Sequence, residues 1–364
     1  MQGINKQETD RDPLDHIPQL LNKRQKKINL KGLPGKTING IHMFANVQKL
    51  HIVNCDHLED LTGLHKLADN LQTLTIAECP KLANLEDIAA CNNLQTLKLS
   101  YSNTSDISVL ASCTQLKKLY LSCWGITDFT VLTECTQLTT IYMEYAAITD
   151  LSILANCTLL ETLYMLGCCR ITDISPLTSC TRLHKLSLLG WNNINDISPL
   201  TKCVLLRDLA LPRYGIESIT EISPRIKRLS IGNITDLSPL TNCTLLESLV
   251  VDGGIRITDI SPLAKCTRLH EVILHKCCKL NDISPLAKCT QLVDLCLEIC
   301  SNITDISPLA NCTQLVNLSL EGCASITDIS PLANCTQLVH LNLKGCASIT
   351  DLSPLTKCTL LKDI

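Results

Sequence analysis

The stretch CASITDISPLANCTQLVHLNLKG, residues 323–345, decides the fold. Leu338, Leu341 and Leu343 fall in the pattern L-x-x-L-x-L, and the last two alternate with His340, Asn342 and Lys344. That alternation is the period of a strand buried on one face only. In the segment 328–335, Ser330 precedes Pro331, which reads as an N-cap followed by proline at the first helical position. The segment is too short for more than about one turn of 3₁₀ or α-helix.

The same pattern runs along most of the chain. Copies begin at Leu71, Leu94, Leu116, Leu138 and Leu160 and continue to Leu361 at spacings of 22 or 23, with two of 20 around Ile226. A period in this range with this leucine pattern marks a leucine-rich repeat. Each copy predicts a strand, a turn, a short helical turn and a second turn. Stacked copies predict an α/β solenoid: a horseshoe with a parallel sheet on its concave face and short 3₁₀ or helical turns on its convex face. About 14–15 repeats are expected over residues 45–364, with residues 1–44 as a basic N-terminal extension and cap. An irregularity falls at residues 207–233.

Composition agrees with a thin, layered core. The 364 residues are 45% hydrophobic but only 3% aromatic, with a net charge of −3. Small aliphatic side chains therefore do the packing. The polar start, MQGINKQETDRD, has no apolar signal region, and no apolar run is long enough to span a bilayer. A cytoplasmic or nuclear location with reduced thiols is the expectation. Between Asp15 and Asp56 no acidic residue occurs, while Lys23, Arg24, Lys26, Lys27, Lys31, Lys36 and Lys49 are basic. This run reads as a solvated segment, and its part at 23–36 is the one place where a nucleic-acid contact or an import signal is conceivable. The chain lacks the basic excess of a dedicated nucleic-acid binder.

The units themselves resemble known families. LxxLxLxxCxxITD resembles the cysteine-containing repeats of F-box-type substrate receptors. ITDISPLANCTQL resembles the short repeats of internalins and of a phosphatase-regulatory subunit. Units of the form GCxxITDxSPL are similar to leucine-rich repeat proteins of kinetoplastid protozoa, some described as cyclase regulators. The likeness covers about residues 45–364 and is highly specific for fold but only weakly specific for function.

Of the 23 cysteines, twelve share one repeat position and seven share a second, five residues after the second leucine. Cys123, Cys169, Cys278 and Cys296 fall outside both ladders. Packed free thiols explain the ladders. No C-x-x-C pair supplies zinc spacing, so no metal or cofactor is expected; the cluster His270, His275, Cys277 and Cys278 is the one place where a metal site is conceivable. The aspartates of the ITD motif, Asp106 to Asp351, are expected to accept hydrogen bonds from turn amides.

Function is expected on the concave face. Residues 310–332 and 333–355 differ at four places, and Asn317/His340, Ser319/Asn342 and Glu321/Lys344 are outward strand positions. Along that surface Lys98, Tyr120, Tyr142 and Tyr164 take successive copies of one position, with Tyr101, Trp124, Glu144 and Tyr145 beside them. Such a row reads as a protein-binding anchor or as a cross-strand ladder that only stabilises the sheet. A second candidate is the basic group Arg207, Arg213, Tyr214, Arg225, Lys227 and Arg228, a contact for an acidic partner or a packing irregularity. Motifs for phosphate binding, nucleophilic or metalloprotease chemistry do not occur, so catalysis is not expected. A protein-interaction scaffold or regulatory subunit is the leading expectation. A ubiquitin-ligase substrate receptor and an internalin-like surface adhesin are the alternatives. The ending TKCTLLKDI falls partway through a repeat, which suggests a truncated chain, a partner-covered end or a tolerated short strand.

Overall fold

A computed structural model describes residues 25–44, 46–168, 170–190, 194–213, 216, 219 and 221–363. The chain divides into two compact units, residues 1–170 and 171–364. In the first, β1 (Lys27–Lys31), β2 (Lys49–Val53), β3 (Thr73–Cys79), β4 (Thr96–Ser102), β5 (Lys118–Ser122), β6 (Thr140–Glu144) and β7 (Thr162–Leu166) pair in parallel and in chain order. In the second, β8 (Lys185–Ser187), β9 (Asp208–Ala210), β10 (Arg228–Gly232), β11 (Ser248–Asp252), β12 (Glu271–His275), β13 (Asp294–Cys296), β14 (Asn317–Ser319) and β15 (His340–Asn342) do the same. Strand β1 lies inside the segment read from sequence as the N-terminal extension, and pairs Lys27 with Lys49 and Lys31 with Val53.

Between strands, short 3₁₀ turns such as Ser307–Asn311 and Ser330–Asn334 pack beside their neighbours. Parallel strands closed by such compact connections form the expected leucine-rich repeat solenoid. One rung shows the core: Leu315, Leu318, Leu320, Ile326 and Leu332 are all buried. Burying each such aliphatic side chain contributes roughly 1.5–3 kcal/mol. No helix among the described residues is long and apolar enough to cross a membrane.

The turn chemistry differs from the sequence expectation in one respect. The residue at the N-cap of Ser330–Asn334 is Ile329, which has no side chain to bond, so Ser330 is not the cap. Asp328 does that work: its Oδ1 accepts the Ser330 amide at 2.7 Å and its Oδ2 accepts the Ser330 hydroxyl at 2.9 Å. The amide bond recurs from Asp106 with Ser108 to Asp351 with Ser353. An aspartate two residues upstream satisfies a donor that the start of the helical turn leaves without an intrahelical partner, with or without a following proline.

Among the described residues all the cysteines are free thiols, and only Cys278 and Cys296 are less than fully buried. Many of their S–H groups donate to carbonyls of the preceding rung, as Cys335 does to Leu309 at 3.5 Å and Cys346 to Leu320 at 2.9 Å. Burial pushes the Cys113 and Cys335 thiols up to about 12. Cys123, read from sequence as an outsider, is a rung of the second ladder. It is buried and lies 3.3 Å from Ser102, which itself pairs with Cys79. A 22-residue copy shortens the strand exit by one residue, so counting from the leucine missed it, whereas counting back from Ile126 would not.

A further column lies at or just past the end of most strands. Asn54, Glu78, Tyr101, Tyr145, Lys276 and Ile299 have positive φ, at the place where Gly167, Gly253, Gly322 and Gly345 stand in other copies. The left-handed residue turns the chain out of the strand while its N–H still reaches the next rung, as Ile299 does to the Glu321 carbonyl at 2.7 Å.

Candidate functional site

The row expected from sequence forms on the outer strand face of the first unit. Register places Lys98 beside Tyr120, Tyr120 beside Tyr142, and Tyr142 beside Tyr164. Strand alternation buries Leu119, Ile141 and Leu163 on the other side, which leaves the tyrosines outward and half-buried. The Lys98 Nζ lies 4.4 Å from the Tyr120 ring centroid, within cation–π range. Tyr120 and Tyr142 are tilted at 6.1 Å, and Tyr142 and Tyr164 are parallel at 4.3 Å.

Glu144 is fixed within this group. Its Oε1 accepts the Tyr142 hydroxyl at 2.7 Å and its Oε2 accepts the Ser122 hydroxyl at 3.0 Å. Partial burial, then the bond to Glu144, hold the Tyr142 phenol above its ordinary value, so it stays a donor at neutral pH. Ser122 was not singled out from sequence, although its position next to Glu144 in an adjacent copy was the available signal.

A second stack forms where the strands end. Trp124 lies on Tyr145 at 4.8 Å with planes 15° apart, and both remain exposed, at 69% and 45%. Gly167 underlies Tyr145: a Cβ there would sit 2.6 Å from the ring's Cδ1. Tyr101 is exposed at the corresponding turn, and no ring contact joins it to the others among the described residues.

The basic group at 207–233 is arranged differently. Arg213 meets Asp252 at 3.2 Å, Lys227 meets Glu247 at 2.6 Å, and Arg228 meets Asp208 at 3.2 Å. The chain at Arg213 lies against Gly232, where an added Cβ would be 2.4 Å from the Arg213 Cα. Arg207 and Arg225 make backbone bonds to His184 and Ser223. Tyr214 lies outside the described residues, as do Lys23, Arg24 and Cys169. In the cluster singled out for metal binding, His275 instead bonds Asp252 at 2.8 Å and Cys278 donates to the Ile299 carbonyl. Elsewhere in the second unit, a shallow depression of ≈ 520 Å³ on the strand face is lined by Glu271, Asp294, Glu298, His340 and Asp363.

Comparisons with known proteins agree with this architecture. The family of leucine-rich repeats in two copies matches at residues 136–179, 158–202 and 313–357. An internalin, InlF, of Listeria monocytogenes is similar at TM-score 0.51 and 24% identity, over 93% of this chain and 86% of that one. A leucine-rich repeat protein of Leptospira interrogans gives TM-score 0.63 at 14% identity, over 94% and 96%. The functional domain of InlJ from Listeria monocytogenes, which includes a cysteine ladder, gives 0.56 at 19% identity, over 85% and 70%. No curated protein sequence matches. The chain therefore has the leucine-rich repeat fold, and its likeness to internalins is one of fold.

Proposed function

We propose that this protein is a non-catalytic interaction scaffold or regulatory subunit that binds a protein partner on the strand face of β4–β7. The row Lys98–Tyr120–Tyr142–Tyr164 carries this reading. Its rings combine apolar area with hydroxyls, and their mutual contacts fix them before any partner arrives. Little side-chain entropy is then lost on binding, which is the setting in which aromatic anchors contribute most. The stacked pair Trp124 and Tyr145 extends the anchor towards the strand exits. The ion-paired basic group at 207–233 is the weaker candidate, since Arg213, Lys227 and Arg228 already have carboxylate partners. The many free thiols fit a reducing compartment, hence a cytoplasmic or nuclear location.

The test is affinity capture from native lysate with wild type and with Tyr142→Ala combined with Tyr164→Ala. Loss of the captured protein with little change in melting supports the reading. Unchanged capture with lowered melting would show that the row is only a stabilising ladder.

A further inference from the structure

Charge on the strand face of the first unit is strongly one-sided. The outward positions of β1–β5 include Lys27, Lys31, Lys49, Lys98 and Lys118, all exposed, together with His51. From β1 to β7 the strands carry two acidic residues that are not buried, Glu78 at the end of β3 and Glu144, and Tyr142 and Ser122 already hold Glu144. Among the described residues no carboxylate lies within ion-pair distance of those five lysines, whereas the strand-face Lys185 and Lys344 of the second unit are paired. His51 registers the field of its neighbours: burial, then Lys27, Lys98 and Lys49, push its pKa down.

The lysines and the tyrosines make one continuous surface. Register runs Lys27–Lys49–Thr73–Thr96–Lys118 in one column and His51–Thr75–Lys98–Tyr120–Tyr142–Tyr164 in the next. We propose that this surface binds an extended acidic segment of a protein partner, laid across β1–β7 with carboxylates on the lysines and an apolar end on the tyrosines. This rests on the protein-binding reading of the row and names the chemistry of what it binds.

Strands spaced about 4.8 Å apart put β1 and β7 about 29 Å apart, a distance that about nine extended residues cover. Single-stranded nucleic acid is the other polyanion of that shape, and it gains affinity by stacking bases on free aromatic faces. Here the facing surfaces of Tyr142 and Tyr164 cover each other, and so do those of Trp124 and Tyr145. Trp124 and Tyr101 keep exposed ring surface, but the half of the surface that carries the lysines presents threonine methyls in place of a row of rings, which suits a peptide better than a run of bases.

The experiment measures fluorescence anisotropy of a labelled peptide of ten residues, eight glutamates ending in Leu-Leu, with the full chain at low and at physiological salt. Its all-lysine counterpart and a ten-nucleotide oligouridine serve as comparisons. Binding of the acidic peptide is expected, with affinity falling as salt rises and at least about tenfold weaker in the variant Lys27→Glu, Lys49→Glu, Lys118→Glu. Circular dichroism checks that this variant, altered only at exposed positions, is folded. Tighter binding of oligouridine than of the acidic peptide would overturn the proposal in favour of nucleic acid. Absence of acidic-peptide binding by wild type, or equal binding by the lysine variant, would also overturn it. Such a failure is separable from failure of the tyrosine row: a lysate partner lost on Tyr142→Ala with Tyr164→Ala but kept by the lysine variant would leave the row's role standing and remove only the acidic segment.

Discussion

Tyr142 and Tyr164 lie face to face, with ring centroids 4.3 Å apart and planes 1° from parallel. The contact joins two copies of the repeat and fixes both rings in the orientation a partner would meet. On the proposed binding role, pre-positioning of this kind makes the pair matter more for binding than for folding. Either ring alone leaves its neighbour half-exposed, so truncating one is expected to cost stability only by about 0.5–1.5 kcal/mol. Partner affinity in the double alanine variant is expected to fall by tenfold or more, with about 2 kcal/mol as the hot-spot scale. A double-mutant cycle on melting and a binding titration with the captured partner check the two effects separately. Lowered melting with unchanged affinity would point to a structural ladder.

The cysteine ladders give a prediction of opposite character. Cys113 and Cys335 are buried, and burial raises their thiols to about 12, so neither forms the thiolate that alkylating reagents need. Cys278 and Cys296 are only partly buried. Mass spectrometry after brief iodoacetamide treatment of native protein is expected to find label at Cys278 before Cys113 or Cys335, and before Cys296, whose thiol burial pushes up to about 11. Labelling of Cys113 or Cys335 at a comparable rate would contradict the packed-thiol account.

The aspartates of the turns make stability depend on pH. The amide of the serine two residues on, then its hydroxyl, hold the carboxyls of Asp106 and Asp282 below the ordinary aspartate value of 3.8. The unfolded chain therefore takes up protons first as pH falls. The stabilisation is complete above 3.8 and drains away as pH drops through the lower folded-state values. Asp282→Ala is expected to destabilise by about 1 kcal/mol at pH 5, as loss of a cap does, and by less at pH 2.5. Urea midpoints of wild type and variant at the two pH values test this, and a constant difference would sink it.

Much of this was legible from residues. The spacing of Leu315, Leu318 and Leu320 reports both strand and core, because alternation and period respond to the same one-sided burial. The order Lys98, Tyr120, Tyr142, Tyr164 could be read for the same reason: a fixed repeat turns sequence position into spatial column. Features that depend on backbone conformation were not legible. The serine of the SPL motif looks like a cap until φ and ψ show the helix starting at it and the aspartate reaching over. The pairing of Arg213 with Asp252 joins residues from different copies across an irregular loop, where the period no longer maps position to place.

The left-handed column supplies the last prediction. Ile299 has φ +59°, in a column where Gly322 at +73° and Gly345 at +79° hold the same turn in the next two copies. A β-branched residue in that region carries a steric penalty of about 1–2 kcal/mol, which glycine escapes. Glycine gives back part of that through the greater freedom of the unfolded chain, about 1 kcal/mol. The side chain of Ile299 is 40% exposed, so little burial is lost with it. Ile299→Gly is therefore expected to leave stability unchanged or raise it by up to about 1 kcal/mol. Gly232→Ala is the contrast, because its Cβ would lie 2.4 Å from the Arg213 backbone and no flexible side chain can move aside. That variant is expected to lose more than about 2 kcal/mol. Denaturant unfolding of both variants tests the pair, and a large loss from Ile299→Gly would show that its side chain holds the turn rather than straining it.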